Sequence, residues 1–485
     1  MKVLTVEEMR SFEKYTMKSL SLNGKHLMRK AGNQLVKDFV KRVNPSLDNI
    51  ITIIAGVGNN GGDALVMAIE LKQLGYSPRV LVIGDVKKAS EEFLHYFDLV
   101  GFVKIINSIE EVNNIQETIF ESDSIIDGLF GIGLSKNVTG FRRQLIEYIN
   151  ESDTNVYSID IPAGINPNNG LIMGIAIKAD YTGVLGSYKV GNLINNAMDY
   201  HSESVCLDTG LLEEKPITKE IINLDDYKLE KANRSHALNK YTVGLGVFIG
   251  GQQSMMGSIQ MAAFAGLKTG FGIVRVLTNL KDNTFTQYYP ELIISQNLGK
   301  ESIHNFDKAK ACVYGPGIND FKNHKELLDY LLNSNIPLVI DASGLEHIEL
   351  KEYKNKYIIL TPHLGELSKL LNVEAKVIIK DPLKYLKVLT DLGFNVLLKG
   401  SCNILATQSK VVFVQVNNTG LATAGSGDIL SGILAANICK KDILEGIIRS
   451  VYIHTLAADY ACKEFGEVSL TAGDIISNIH KVYRG

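Results

Sequence analysis

The chain has 485 residues, 50 basic and 53 acidic side chains, a formal net charge of −3 and 45% hydrophobic residues. This length suggests two or three domains, and the near-neutral charge gives no basic field that would hold a nucleic-acid backbone. The composition matches neither a disordered chain nor a membrane protein, so we expect a globular enzyme with small-molecule substrates and no nucleic-acid or membrane partner.

The first ten residues become acidic without an apolar stretch, so we expect no signal peptide and a cytoplasmic location. Five cysteines are scattered, odd in number and never spaced as C-x-x-C, which argues against a disulfide framework or a zinc site. We expect a homo-oligomer, the commonest form of assembly among soluble proteins that oligomerise.

Apolar runs alternate with amphipathic segments through the first half of the chain. A capping box formed by Thr5 and Glu8 predicts the start of the first helix. Seven strands are then predicted, in the segments NIITIIAGVG, PRVLVIG, VKIIN, SIIDGLF, NVYSIDIP, ADYTGVLGSY and SVCLDTG. This alternation predicts a doubly wound α/β sheet with helices on both faces.

Residues 213–235 are charged, weakly periodic and contain a proline, which is typical of a linker. We therefore predict one domain over residues 1–212 and a second over 236–485. The second domain has eight predicted strands, LGVFIGG, IVRVL, ACVYGPG, PLVIDAS, YIILTPH, NVLLKG, NILAT and KVVFVQV, and three helices near its end. The halves share no run that aligns, which favours a fusion over a duplication.

The first glycine cluster, GVGNNGGDA at residues 56–64, formally satisfies the dinucleotide fingerprint G-x-G-x-x-G, and Asp85 lies about where a ribose-binding acid would stand. Asn59, Asn60 and Asp63 crowd this turn, and a carboxylate at a helix start would compete with a pyrophosphate for the same amides. A nicotinamide dehydrogenase is therefore one alternative. A plain strand-to-helix turn capped by Asp63 is another.

Two more acids end strands of the same predicted sheet. Asp127 ends SIIDGLF and Asp160 ends NVYSIDIP. Because the carboxyl ends of parallel strands face one crevice, Asn60, Asp127 and Asp160 could converge there. Their oxygens suit a hard cation, either monovalent or magnesium, although each acid alone is also a common helix cap.

The motifs G-x-G-N-N-G-G-D, D-G-L-F-G-I-G-L and D-I-P-A-G, in this order, resemble the NAD(P)H-hydrate epimerase family over roughly residues 1–212. The resemblance implies a Rossmann-like three-layer domain that interconverts the R and S forms of hydrated nicotinamide cofactor, with Asp160 as a catalytic residue. It also implies a K+ ion bound by Asn60, Asp127 and the carbonyl of Ala163, which stands where the family usually has serine. The residues implied to contact the damaged cofactor are Asn59, Asn60, Gly61, Gly62, Asp63, Gly131, Ile132, Gly133, Leu134, Ser135, Lys136, Asn137 and Asp160.

The second glycine cluster, NNTGLATAGSGDILSGIL at residues 417–434, is the strongest signal in the chain. Ala424 to Gly427 form a small-residue loop whose amides can point at an anion, beside the positive end of the next helix. Asp428 could take a proton from a hydroxyl there during phosphoryl transfer. The alternative is a glycine turn with Asp428 as the helix cap.

Four more strand-end turns, LLKGSCN, TPHLGEL, GPG and DASGL, lie in the same domain and favour a shared cleft. Together with the G-S-G-D loop they resemble the ribokinase-like fold and, within it, the ADP-dependent NAD(P)H-hydrate dehydratase family, over roughly residues 230–485. The resemblance implies a site for ADP, with Mg2+ accompanying the nucleotide, at Lys399, Gly400, Ser401, Cys402, Asn403 and Gly427. It implies contacts with the hydrate at Ser258, Gly317, His363 and Asp428, with Asp428 as the base.

The leading hypothesis is therefore a bifunctional repair enzyme acting on NADHX and NADPHX, the hydrates of NADH and NADPH. The first half supplies the S epimer, and the second half dehydrates it with ADP, giving AMP and phosphate. The alternative is a ribokinase-like kinase of a small sugar, pyrimidine or thiazole alcohol, attached to a Rossmann-like binding domain without catalysis.

Overall fold

The computed structural model describes residues 1–101, 103–229, 236–251, 255–278, 289–295, 300–318, 324–439 and 442–484. The chain divides into two compact units, Met1–Glu220 and Ile221–Gly485. Residues 230–235 of the predicted linker lie outside the described ranges, and residues 219–222 of it form a strand. Within the described residues, no helix is both long enough and apolar enough to span a membrane.

The first unit contains a seven-stranded parallel sheet. Strands are numbered in chain order, and their spatial order is β4 (Lys104–Ile106), β3 (Arg79–Ile83), β2 (Ile51–Gly56), β5 (Ser124–Gly128), β6 (Asn155–Ile159), β7 (Ala179–Leu185) and β9 (His201–Leu207). Six of these strands lie within segments predicted from the sequence, and β9 overlaps its predicted segment but begins three residues earlier, at His201. A separate parallel pair joins β1 (Val3–Leu4) to β8 (Tyr188–Lys189).

Helices cover both faces of this sheet. They span Val6–Leu20, Gly24–Val43, Asn59–Gln73, Glu91–Val100, Ile109–Asn113, Gln116–Phe120 and Phe141–Glu151. The first begins with the predicted capping box of Thr5 and Glu8. Ile53 and Ile54 are consecutive on β2 but belong to two different hydrophobic clusters, because alternate side chains of a strand point to opposite faces. The result is the Rossmann-like three-layer arrangement.

The second unit contains a ten-stranded mixed sheet. The spatial order is β10 (Lys219–Ile222), β19 (Val411–Gln415), β18 (Cys402–Ala406), β17 (Asn395–Leu398), β16 (Ile358–Leu360), β15 (Leu338–Ile340), β14 (Ala309–Tyr314), β11 (Leu245–Ile249), β12 (Ile273–Leu277) and β13 (Ile293–Ser295). The pairs from β13 to β17 are parallel, and β17–β18–β19 are antiparallel. The short strands β10 and β13 were not predicted, because neither forms a long apolar run.

The helices of the second unit span Lys240–Val243, Met256–Thr269, His324–Leu332, Leu364–Leu371, Ala375–Ile378, Pro382–Asp391, Ser426–Ile438, Ile443–Phe465 and Ala472–Val482. The last three confirm the helices predicted at the end of the chain. The Ser426–Ile438 helix is buried around most of its circumference and packs on the Met256–Thr269 helix. A Cβ at Gly432 would lie 1.9 Å from the carbonyl oxygen of Ala262, so only glycine allows this spacing.

Candidate functional sites

A cavity of about 560 Å³ opens in the first unit where strands β2, β5 and β6 end. This is the crevice in which open α/β sheets bind ligands. Three groups of residues line it: part of the first helix, the first glycine cluster, and the loop that follows β5. Members of the predicted substrate set along the cavity are Asn59, Asn60, Asp63, Gly131, Ile132, Gly133, Leu134, Ser135, Lys136, Asn137 and Asp160.

The glycines of the first cluster are needed for close backbone packing. A Cβ at Gly61 would lie 1.6 Å from the carbonyl oxygen of Gly56, and a Cβ at Gly62 would lie 2.5 Å from the sulfur of Met28. Gly61 and Gly62 therefore lie behind the cavity wall, and the cavity lining does not include them. The helix cap is Gly58, so the interpretation of Asp63 as the cap is wrong.

Asp63 lies one turn inside this helix, is buried and lines the cavity. Burial raises the pKa of its carboxyl well above the usual range, and the negative charges of Asp160 and Glu13 raise it further. Glu13, on the first helix, also lines the cavity, and burial raises its pKa. The cavity therefore contains an acid at Asp63 that favours its protonated form.

Asp160 ends β6 in a conformation that few non-glycine residues adopt, with φ at 68°. Its carboxylate forms an ion pair with the ammonium of Lys189, and both side chains are buried. The same carboxylate accepts a hydrogen bond from the Leu185 amide (2.9 Å), and Asn192 donates its side-chain amide to the Asp160 carbonyl (3.1 Å). These contacts hold the carboxylate of Asp160 at the cavity wall, where it also lines the cavity.

The predicted potassium ligands make hydrogen bonds with each other and with their neighbours. The carboxylate of Asp127 accepts hydrogen bonds from the Leu129 amide (3.0 Å), the Ser158 hydroxyl (2.8 Å) and the Ala163 amide (2.9 Å). The Ala163 carbonyl accepts from the amide of Ile177 (2.8 Å). The amide nitrogen of Asn60 donates to the carbonyls of Phe130 (3.0 Å) and Ile159 (3.3 Å). These hydrogen bonds use the nitrogen of Asn60 and not its side-chain oxygen, and the binding of K+ by Asn60, Asp127 and the carbonyl of Ala163 stays a prediction.

A second cluster of charged side chains surrounds the start of the Ser426–Ile438 helix. Asp428 is the third residue of this helix and accepts a hydrogen bond from the Ser258 hydroxyl. The ammonium of Lys399 pairs with the buried carboxylate of Asp341 at 2.8 Å. The Ser431 hydroxyl donates to the other oxygen of Asp341 at 2.6 Å, so both oxygens of this acid are engaged.

The electrostatics of this cluster suit proton transfer near neutral pH. Burial raises the pKa of Asp428 to about 6, and the charges of Asp341 and Glu366 contribute to the rise. The hydrogen bond from Ser258 and the positive charge of Lys399 act in the opposite direction and lower the pKa. The carboxylates of Asp341 and Glu366 raise the pKa of Lys399 against the effect of its burial. A general base operates best when its pKa lies near the working pH.

The other predicted nucleotide residues lie on one short segment. Gly400 and Ser401 are exposed, whereas Cys402 and Asn403 are buried at the start of β18. The Asn403 side chain accepts a hydrogen bond from the Gly400 amide at 3.2 Å and so shapes the turn. A Cβ at Gly427 would lie 3.3 Å from the Lys399 ammonium, so the glycine keeps space open beside that charge.

His363 and Gly317 are placed differently. His363 is exposed and caps the Leu364–Leu371 helix, because its Nδ1 accepts hydrogen bonds from the amides of Gly365 (3.0 Å) and Glu366 (3.3 Å). Gly317 has φ at 70°, and a Cβ there would lie 2.8 Å from the Met255 carbonyl oxygen. The contact of either residue with a hydrate stays a prediction.

Sequence reasoning missed three charged residues of these sites: Lys189, Glu13 and Asp341. Lys189 is the last residue of the short buried strand β8, and a lysine there without an acidic neighbour in sequence is a signal that could have been used. Asp341 was noted only as part of a strand-end turn. Nothing in the spacing of Glu13 distinguishes it from other acids on the amphipathic first helix.

The two halves of the chain match two family models. Residues 24–191 match the model described as YjeF-related protein N-terminus, and residues 246–481 match the model described as NAD(P)H-hydrate dehydratase. The chain is also similar in fold to a ribokinase-like superfamily protein from Enterococcus faecalis, at 21% identity and a TM-score of 0.50, covering 56% of this chain and 98% of that one.

Curated relatives extend over both units. A bifunctional NAD(P)H-hydrate repair enzyme from Coxiella burnetii is 29% identical over 497 residues, covering 97% of each chain. One from Dictyoglomus turgidum is 29% identical and covers 98% of this chain and 97% of its own. One from Escherichia coli is 28% identical, covering 89% of this chain and 84% of its own. With both family models matched in the same order along one chain, the protein belongs to the family of bifunctional NAD(P)H-hydrate repair enzymes.

Proposed function

We propose that the chain repairs hydrated nicotinamide cofactors in two steps. The first unit epimerises NADHX and NADPHX, and the second dehydrates the S epimer with ADP, giving NAD(P)H, AMP and phosphate. The observation that carries the proposal is the placement of Asp428, whose charge interacts with Lys399, at the start of a buried helix. A base, a cation and a helix N-terminus are the parts that phosphoryl transfer to a hydroxyl requires.

In the first unit, epimerisation needs reversible loss of the hydroxyl from the ring carbon next to the ring nitrogen. We assign Asp63 as the acid that protonates this hydroxyl, so that the C–O bond breaks, water leaves and the nitrogen lone pair forms an iminium. Water then adds to the opposite face and gives its proton to Asp160. In the reverse direction the two carboxyls exchange these roles. Binding of K+ by Asn60, Asp127 and the carbonyl of Ala163 stays a proposal, and no step of this scheme is assigned to the ion.

In the second unit, Asp428 accepts the proton of the substrate hydroxyl as this oxygen attacks the β-phosphorus of ADP. AMP leaves, and the hydroxyl becomes a phosphate ester. Hydroxide is a poor leaving group, but phosphate is a good one. The C–O bond then breaks and phosphate leaves, the departing phosphate takes a proton from the neighbouring carbon, and the double bond of the dihydropyridine ring is restored. The ammonium of Lys399 is placed to offset negative charge on the phosphates.

Magnesium enters this proposal with the nucleotide. Among the described residues, no group of three or more His, Cys, Asp or Glu side chains could hold a metal ion. Mg2+ is commonly bound through substrate phosphates and one or two carboxylates. Asp341, which pairs with Lys399, is joined there by the carboxylates of Glu366 and Asp428. Bound there, the ion would neutralise phosphate charge.

The direct test is incubation of the full chain with a mixture of R and S NADPHX. With ADP and Mg2+ we expect recovery of the reduced-nicotinamide absorbance from both epimers, with AMP and phosphate released in equal amounts. Without ADP we expect interconversion of the epimers and no recovery. Absence of recovery would contradict the proposal.

The small-molecule kinase is the second candidate, because the G-S-G-D loop and the ribokinase-like fold suit a kinase as well. The same assay distinguishes the two if simple sugar, pyrimidine and thiazole alcohols are offered with ATP. A phosphorylated alcohol with no recovery of NADPH would establish the kinase and remove the dehydratase.

The dehydration rate should depend on pH through Asp428. A base must be ionised to accept a proton, and the pKa of Asp428 is about 6. We therefore expect a constant rate between pH 7 and 8 and a fall of about tenfold per unit below pH 6. Initial rates with saturating ADP and NADPHX at every pH measure this. A rate that stays constant down to pH 5 would exclude Asp428 as the base.

A further inference from the structure

The acid at the end of strand β3, where a dinucleotide fold commonly binds a ribose, does not line the cavity. Asp85 is the residue at the expected position, but its carboxylate accepts a hydrogen bond from the Lys87 amide (3.1 Å) and lies 4.0 Å from the Lys88 ammonium. Asp85 is exposed and does not line the cavity. In Rossmann-type sites an acid here binds the 2′-hydroxyl of NAD, whereas an arginine nearby accommodates the 2′-phosphate of NADP.

An arginine does lie at this strand end. Arg142 is the second residue of the Phe141–Glu151 helix and lines the cavity together with Ile83 of β3. A Cβ at Gly84 would lie 2.9 Å from the Nη2 atom of Arg142. The guanidinium therefore lies against the backbone at the end of β3, where the absence of a side chain at Gly84 gives it room.

Among the described residues no carboxylate pairs with Arg142, whose guanidinium lies over the Phe141 ring with Cζ 4.6 Å from its centroid. Among the described residues, no hydrogen bond or ion pair to its guanidinium is found, and burial without a nearby carboxylate lowers its pKa. The adjacent Arg143 is different, because it is exposed and pairs with Glu147 at 2.8 Å. An uncompensated, partly buried guanidinium in a cavity is suited to bind an anion.

The position of Arg142 also fits the length of a dinucleotide. Strands β3, β2, β5 and β6 are consecutive neighbours, so the end of β3 is three strand spacings, or about 14 Å, from the end of β6. Asp160, at the end of β6, is the proposed contact of the hydrated ring. The adenosine end of the same molecule would then lie over β3, beside Arg142.

We propose that Arg142 binds the 2′-phosphate of the phosphorylated cofactor hydrate and makes the first unit select NADPHX over NADHX. The inference rests on the proposed epimerase function of this unit. A guanidinium binds a phosphate through two parallel hydrogen bonds, which the 2′-hydroxyl of NADHX cannot replace. Arg142 is thus a specificity residue and takes no part in the reaction at the ring.

The test compares the full chain with Arg142→Ala and with Arg143→Ala as the matched control. Epimerisation of NADHX and NADPHX is followed by chromatography of the epimers without ADP. In the unmodified chain we expect a KM for NADPHX about tenfold or more below that for NADHX, the ratio expected of one charge-assisted interaction. Arg142→Ala should remove this difference by raising the KM for NADPHX, with kcat unchanged, and Arg143→Ala should preserve it.

Two results would overturn the inference. The first is equal KM values for NADHX and NADPHX in the unmodified chain. The second is an equal rise of both KM values in Arg142→Ala, which would mean that Arg142 binds the pyrophosphate that the two substrates share. Calorimetric titration with NADP+ and NAD+ gives a second measurement that needs no turnover. If the unmodified chain does not epimerise either substrate, the proposed function is contradicted. The role of Arg142 is still supported in that case if Arg142→Ala loses the preference for NADP+ over NAD+ in the titration.

Discussion

Replacement of Asp428 by asparagine should reduce the dehydration rate by about 10²- to 10⁴-fold, the usual contribution of a general base. Asparagine retains the shape of the side chain and can still accept the hydrogen bond from Ser258, but it cannot take up a proton. ADP should still bind, because Lys399 and the glycine loop are unchanged. Epimerisation should continue at the original rate, since Asp428 lies in the second compact unit.

The rate of NADPH recovery from pure S epimer measures the first effect, and interconversion of the epimers without ADP measures the second. Asp381→Asn is the matched control, because Asp381 caps the Pro382–Asp391 helix and asparagine is an equally good cap. Its dehydration rate should be unchanged. Loss of both activities in Asp428→Asn would contradict separate active sites, and retention of dehydration would exclude Asp428 as the base.

Replacement of Lys189 by methionine should stop epimerisation and destabilise the first unit. The substitution leaves the carboxylate of Asp160 buried without its partner, which typically costs about 3–5 kcal/mol in the free energy of unfolding. Asp160 would also lose the ion pair that holds its carboxylate in place at the cavity wall, so it could no longer act as a base. We expect the epimerisation rate to fall by at least about 10²-fold, with dehydration of pure S epimer retained.

A double variant separates the loss of chemistry from the loss of stability. Asp160→Asn combined with Lys189→Met removes both charges, so most of the lost stability should return, as measured by calorimetric unfolding. Epimerisation should stay absent, because the base is still missing. Recovery of epimerisation in the double variant would show that Asp160 acts only through the fold.

Much of the architecture was predictable because its signals are local. The seven strands of the first sheet are short apolar runs bounded by turns, and the capping box of Thr5 and Glu8 is a pattern four residues long. Strands β17 and β18 and the three helices at the end of the second unit follow from the same kind of pattern. Strand β10 was missed because Lys219–Ile222 is short and lies within a charged segment.

The candidate sites were predictable only in part, because their charged pairs are distant in sequence. Asp160 and Lys189 are separated by 29 residues, and Asp341 and Lys399 by 58. No local pattern links such residues, so the sequence indicated one member of each pair and not its partner. The electrostatic environment of Asp63 likewise depends on Glu13 and Asp160, which only the fold brings near it.

The close contact between Gly432 and Ala262 limits how the sequence of the second unit can change during evolution. Gly432 lies four residues after Asp428 on the Ser426–Ile438 helix, and Ala262 lies four residues after Ser258 on the Met256–Thr269 helix. The close backbone contact between the two helices therefore sets the spacing between Asp428 and Ser258. Amino-acid substitutions in the surrounding loops leave this spacing between the two helices unchanged. New substrate preferences in the second unit should therefore evolve through its loops, while these two helices retain their small residues.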